Sequence, residues 1–465
     1  MFDALNLASL QPPKNYPPKS QLVDLYGVKV LFHSILDGGR YFTEDDLEPF
    51  RMEGDPLVDE IFTLLRKEQR PIRPYDDLLS MARSAHDNID IKKVEPSMAD
   101  DKMSKLVEKY SKVPDWVDTQ QLERGQRVYL AYTPAMSMSL YYRSLVPGFS
   151  LPKIAAVLQA TGYLTPPSSR ESVMNRLSDT AGMVLACMLS MESILPNGKG
   201  WEACLQVRFL HAKVRDRLMR SQRWDRKKNG IPINQEDMAA TLLAFSHNSL
   251  LGVEITLGRP LSDAERLDYT ALWRYIGWLL GVHVNETHKE RNIDPLGPGW
   301  DRSRPDPLEH SKAVFSSILL HLMKPDDSSI RIAHHLLHIG RTLENEKFSK
   351  REDDWFYVRA ARCRQLIGDP LADALKLPYH PTWLGRLRMG VFMSIYNAVI
   401  FIYTMASLPW SPVRSLVVEF HRSRIERYFQ NWENAHSKRM TKTFKKAKSS
   451  CPFGFVSGMV ESDVS

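Results

Sequence analysis

The stretch Cys204-Leu-Gln-Val-Arg-Phe-Leu-His-Ala-Lys-Val-Arg-Asp-Arg-Leu-Met219 decides how the chain is read. Val207, Leu210, Val214 and Leu218 recur three and four residues apart, the period of one helix face. His211 falls four residues after Val207 and three before Val214, so the same apolar face carries an imidazole. Arg208, Lys213, Arg215, Asp216 and Arg217 flank or oppose that face. A ring delivered into an apolar interior needs a partner, because leaving a buried polar group unsatisfied costs about 1–3 kcal/mol. A backbone carbonyl is the ordinary partner, and a haem iron is another. From this helix alone both stand.

Outward from it, helical periodicity dominates from Pro114 onward, with turns marked by Pro and Gly. The spacing predicts helices over 120–143, 151–161, 170–192, 204–224, 235–251, 263–281, 307–322 and 328–337. Three more follow over 355–366, 384–405 and 413–431. The expected class is all-α: a globin-like helical core with N- and C-terminal helical extensions. Residues 1–113 read as an extension, punctuated by Pro12-Pro13 and Pro17-Pro18, with short helices such as 58–67 and no evident chemistry. Residues 114–385 read as the catalytic domain, and 386–465 as an apolar helix, a further helix and a basic tail. No GxGxxG, Walker A, HExxH, zinc-finger or GxSxG pattern occurs, which argues against nucleotide, zinc-protease and α/β-hydrolase chemistry.

The 465 residues are 43% hydrophobic and 25% charged, ordinary globular proportions that exclude a disordered or collagen-like chain. Cys187, Cys204, Cys363 and Cys451 are scattered without metal-finger spacing, so reduced thiols and an intracellular location are expected. The N-terminus lacks the pattern of a secretory signal. Lys438, Arg439, Lys442, Lys445, Lys446 and Lys448 form a basic run without acids, and removing those six from the net charge of +7 leaves +1. A solvated tail is the plain reading and attraction to anionic lipid the next; no motif suggests nucleic acid. Val391–Trp410 is twenty residues without a charge, long enough to cross a bilayer, yet diluted by Ser394, Asn397, Thr404 and Ser407. A buried core helix and a membrane-associated helix are both compatible with it.

A second helix carries polar groups beside an apolar stripe. Val173, Leu177, Thr180, Val184 and Met188 form that stripe, Arg176 and Thr180 are four apart, and Asp179 is three from Arg176. A cation and a hydroxyl facing an apolar pocket can serve a propionate, bound dioxygen or a substrate. A surface Arg176–Asp179 pair, worth about 0.3–0.5 kcal/mol, is the plainer alternative. Other candidates are weaker. His334 and His338 lie four apart as metal-binding pairs do, but no third ligand accompanies them. Glu433 and His436 make a single Glu-x-x-His where a di-iron bundle needs two. Cys451, a candidate thiolate, follows the basic run outside any periodic core. The Trp- and Leu-rich run Leu272–Gly281 reads as packing, or as a wall of a pocket.

Several stretches together resemble one family. They are Pro114-Asp-Trp-Val-Asp118, Arg124-Gly-Gln126, Val207–Arg215, Asn234-Gln-Glu-Asp-Met238, Phe245–Gly252 and Leu272–Gly281. The chain is similar to the haem-dependent rubber oxygenases, or latex-clearing proteins. It looks closest to the fungal branch that includes an endoplasmic-reticulum-bound oxygenase of mycophenolic acid biosynthesis. The resemblance implies b-type haem held through an Arg-x-x-His-x-x-Val-Arg helix, which places the axial ligand at His211. It also implies a distal helix whose arginine and threonine fall on Arg176 and Thr180, Arg176 serving cofactor and catalysis alike. Asp179 stands where the family has lysine, and no acid occupies Thr161-Gly162-Tyr163, where a rubber oxygenase has its proposed base. The implied activity is oxidation of a hydrophobic small molecule by dioxygen, such as cleavage of a C=C bond in natural-product biosynthesis. A haem oxidase, dehydrogenase or rearrangement catalyst, or a non-catalytic haem-binding membrane-associated protein, are the alternatives. The implied location is intracellular, at the endoplasmic reticulum membrane or in the cytoplasm.

Overall fold

The computed structural model describes residues 21–25, 28–32, 42–70, 75–90, 95–162, 170–222, 224–282, 307–339 and 352–446. Apart from one antiparallel hairpin, Gln21–Leu25 with Val28–Phe32, the described elements are helices. The all-α expectation holds.

Two closely packed helix pairs organise the core. Thr119–Ala131 lies against Asp263–Leu279, and Arg170–Leu189 against Lys199–Arg220. The first pair explains Arg124-Gly-Gln126. A Cβ on Gly125 would stand 2.5 Å from the Asp268 carbonyl oxygen, so only glycine permits the approach. Arg124 donates to the Asp268 carboxylate at 3.0 Å, and Gln126 donates to the Cys187 and Ser190 carbonyls at 2.8 and 2.9 Å. Gln126 thereby satisfies orphan carbonyls at the C-terminal end of Arg170–Leu189. The Leu272–Gly281 run is core packing: Trp273 stacks on Phe245 at 5.1 Å, and Trp278 lies 4.3 Å from Tyr110.

Residues before 114 share this core rather than standing apart from it. Phe42, Leu47, Phe62, Leu65, Met103 and Tyr110 belong to the same apolar cluster as Trp201, Phe209 and Trp273. A second cluster joins Val146, Val173, Leu336, Phe356 and Cys363. At the C-terminal end, Arg414–Lys446 returns along Arg170–Leu189. Gly182 accommodates Trp432, which a Cβ would meet at 2.7 Å, and Lys199 reaches Glu433 at 2.7 Å.

Two expected helices differ in the structure. The run expected over 120–143 changes direction through Thr133–Met138 and a widened π-type turn, Ser139–Leu145. The run expected over 235–251 breaks at Ser246 (φ −98°, ψ −87°), giving Gln235–Phe245 and His247–Leu257. Pro134 at the start of Thr133–Met138 marks the first break, whereas no proline or glycine stands at Ser246, so the sequence carried no signal for the second.

Replacing Gly125 by alanine forces Cβ into a backbone carbonyl. We expect Gly125→Ala to lower stability by about 1–3 kcal/mol, the scale of core overpacking, measured by denaturant unfolding.

Candidate functional site

Arg170–Leu189 and Lys199–Arg220 run antiparallel and touch where small residues meet. Cys187 Sγ and Cys204 Sγ are 3.5 Å apart as free thiols, and a Cβ on Gly200 would lie 2.9 Å from the Ala186 carbonyl oxygen. Seven residues, about two turns, carry one helix from Cys204 to His211 and the other back from Cys187 to Thr180. His211 therefore stands level with the Arg176–Thr180 segment, roughly 10 Å along the pair from the cysteines. Burial falls over that distance. Met183, Val184, Cys187 and Met188 are buried, whereas Leu177, Val207, Leu210 and His211 are only half-buried and Thr180 is exposed. The helices are tightly packed at the cysteines and less buried around His211.

The His211 ring suits a ligand role. Its Nδ1 is enclosed with no hydrogen-bond partner, so the carbonyl-bound alternative is absent among the described residues. Burial, and then the Arg215 charge, push its pKa down to about 4 against a smaller opposing pull from Asp55. At neutral pH the imidazole is uncharged, the form that binds a metal. On the neighbouring helix, Arg176 donates from Nη1 to the Gly162 carbonyl at 3.0 Å, and Thr180 donates to the Arg176 carbonyl at 3.2 Å. Asp179 is half-buried on the same segment.

One expectation is overturned by the packing. Arg208 and Arg215 do not oppose the buried face of their helix; they lie within it, each at least 96% buried. Both are neutralised from the N-terminal segment. Arg208 makes a two-pronged pair with Asp55, with Nη2 to Oδ1 at 2.9 Å, and lies 4.5 Å over the Tyr110 ring. Arg215 reaches Asp59 at 2.7 Å and the Ile233 carbonyl at 2.8 Å. Asp55 also caps the helix Pro56–Lys67 by accepting from the Val58 amide. Gly281 (φ +80°) closes over this pair, since a Cβ there would fall 2.5 Å from Asp55 Oδ2 and 2.6 Å from Arg208 Nε. The left-handed backbone and the lack of room both demand glycine. Arginines three residues before and four after His211 are thus anchored to Asp55 and Asp59, which a reading of local periodicity could not find.

The other candidates fall elsewhere. His334 shares its Nε2 with the Leu375 and Lys376 carbonyls, and His338 stacks on Phe356 at 4.1 Å. Among the described residues no three His, Cys, Asp or Glu side chains are grouped to hold a metal ion. Glu433 pairs with Lys199; the His436 side chain and Cys451 lie outside what the structure describes.

Two buried titratable groups were not singled out by spacing. His247, within Phe245–Gly252, is edge-on to Phe315 at 6.1 Å, and burial with nearby Lys312, Arg143 and Arg266 lowers its pKa to about 3. Asp237, within Asn234–Met238, has an enclosed Oδ1 with no hydrogen-bond partner. Burial, then the adjacent Glu236 charge, raise its pKa to about 8 against the pull of Arg51 and Lys153.

A predominantly helical protein with a neutral, unpartnered histidine on one of two adjacent antiparallel helices is the class that this geometry defines. Residues 143–398 match the family described as ER-bound oxygenase mpaB/B′/rubber oxygenase, catalytic domain, and the chain belongs to that family. A solved structure, latex clearing protein in the closed state, superposes with a TM-score of 0.54 at 16% identity, covering 82% of this chain and 91% of that one. At that identity the likeness establishes the shared all-helical fold. No curated protein matches the chain.

Two outcomes follow. Asp55→Asn leaves Arg208 buried without its counter-charge, so unfolding in denaturant at pH 7 should show a loss of about 3–5 kcal/mol. Burial tends to raise the Asp55 pKa, but Arg208 chiefly, with Arg215 and the Val58 amide, holds it below 3.8. The stabilisation is therefore complete above about pH 4 and fades as the carboxylate protonates below it, so the variant and wild type should converge in acid. Asp237 has the opposite sign. Its raised pKa means the native state keeps a proton that the unfolded chain releases, and stability falls as pH rises from about 4 to about 8. Asp237→Asn should raise the melting temperature relative to wild type at pH 8, and the gap should shrink towards pH 4.

Proposed function

We propose that this protein, an oxygenase by family, is a haem b-dependent enzyme that oxidises a hydrophobic small molecule with dioxygen. The observation that carries the reading is the His211 ring: half-buried, neutral at pH 7, and with an enclosed Nδ1 that has no hydrogen-bond partner. Such a ring is a fit ligand for haem iron. The bound haem supplies the activation of dioxygen and the redox chemistry.

The chain's own residues do the rest. His211 holds the iron, and its helix is kept in place by Arg208 and Arg215 on Asp55 and Asp59. Val207 and Leu210, half-buried on the His211 helix, would favour an apolar substrate over water beside the ring. Arg176 places a guanidinium charge on the facing segment, suited to a propionate or to charge developing on oxygen. The Thr180 hydroxyl, exposed and one turn away, accepts or returns a proton by rotating from the Arg176 carbonyl. Asp179 puts a carboxylate where relatives would place a lysine, so this site is less cationic than theirs. Cleavage of a C=C bond in a natural-product intermediate, at the endoplasmic reticulum membrane, is the finer form of the reading.

The test is the absorption spectrum of wild-type protein and His211→Ala, each reconstituted with haem. Wild type should show a Soret band that the variant loses or strongly shifts, with both proteins equally helical by circular dichroism. A folded wild type that takes up no haem overturns the reading. With haem bound, product should form from an apolar alkene under air and not under nitrogen.

A further inference from the structure

The helix Trp383–Ala406 is the one element among the described residues long and apolar enough to cross a membrane, and it is not a core helix. Only Gly385, Met389, Ile400 and Thr404 are buried. On the other side Leu384, Leu387, Val391, Ile395, Val399 and Ile402 form one outward stripe, with Ile402 67% exposed. The stripe continues onto Trp410, Val413, Leu416 and Phe420 beyond the turn. An unbroken apolar face of this length exceeds what a soluble monomer ordinarily shows to water.

The ends of the run carry interfacial chemistry. Trp383 and Trp410 are exposed at either limit, and Arg386 and Arg388 are exposed near the first. No charged residue lies between Arg388 and Arg414. Tryptophan belongs at the boundary between headgroups and acyl chains, and exposed arginines beside it suit an anionic surface.

The helix is also fastened along its length. Trp355 meets Phe392 at 5.9 Å, Arg362 lies 4.5 Å over the Tyr396 ring and bonds to Asn397, and Tyr403 bonds to His421. Arg414, just past the turn, is held by Glu265 at 2.7 Å. Arg362 stands beside the midpoint between Trp383 and Trp410. Were the helix to cross a bilayer, that guanidinium would be carried to the middle, at a cost of at least about 2.5–3.5 kcal/mol.

We propose that Trp383–Ala406 lies flat in one leaflet of an anionic membrane, its outward stripe among the acyl chains and the body of the protein on one side. The surface is then a monotopic docking face, and it stands independently of the haem reading. Vesicles of phosphatidylcholine with and without phosphatidylserine test it by flotation, using the full chain with Cys451→Ser. Binding should be stronger to the anionic vesicles and should fall at least tenfold in Ile395→Glu/Ile402→Glu, with helicity and haem content unchanged. Spin labels on single cysteines at 384, 395 and 402 should report one common depth. Depths spread over about 27 Å, the length of eighteen helical residues, mean a spanning helix and overturn the proposal. A folded protein that does not float, or one whose outward stripe is instead covered by a second copy in a dimer that the double variant abolishes, overturns it as well.

Discussion

The close approach of two antiparallel helices at Cys187, Cys204 and Gly200 is the constraint on which the site depends. Only small side chains allow the backbones to come so near, and the contact sets the register of everything farther along the pair. Two turns away that register brings His211 level with Arg176–Thr180. The pair is tight at the cysteines and less buried around His211.

The second constraint is electrostatic. Burying Arg208 and Arg215 on the His211 helix is affordable only because Asp55 and Asp59 neutralise them, and those carboxylates arrive from a segment about 150 residues earlier. The N-terminal segment, outside the stretch that matches the family, therefore takes part in holding the site. Asp55 performs three tasks at once: it caps a helix, anchors Arg208 and tempers the field at His211. Such sharing ties the position of the imidazole to the integrity of the core.

Much was legible from residue spacing. The helix carrying His211 runs Lys199–Arg220 against an expected 204–224, and Trp383–Ala406 against 384–405, because an apolar period over many residues leaves little choice of secondary structure. Arg124-Gly-Gln126 carried a recognisable motif, but its physical cause, a helix crossing within 2.5 Å of a notional Cβ, could not be read from three letters. The break at Ser246 escaped because no proline or glycine marks it, whereas the one at Tyr132 was signalled by Pro134. Asp237 escaped because an acid in a helical run looks solvated until its surroundings are known.

The sequence by itself determined that the chain is helical and that one uncharged run was apolar enough for lipid. It could do so because helical period and composition are local properties. Only the tertiary structure decided that the two arginines around His211 are buried and paired, and that the apolar run faces outward instead of filling a core. Both are statements about which surfaces are removed from water, and that depends on what distant parts of the chain bring against them: Asp55 and Asp59 in the first case, Arg362 and a single narrow stripe of contacts in the second.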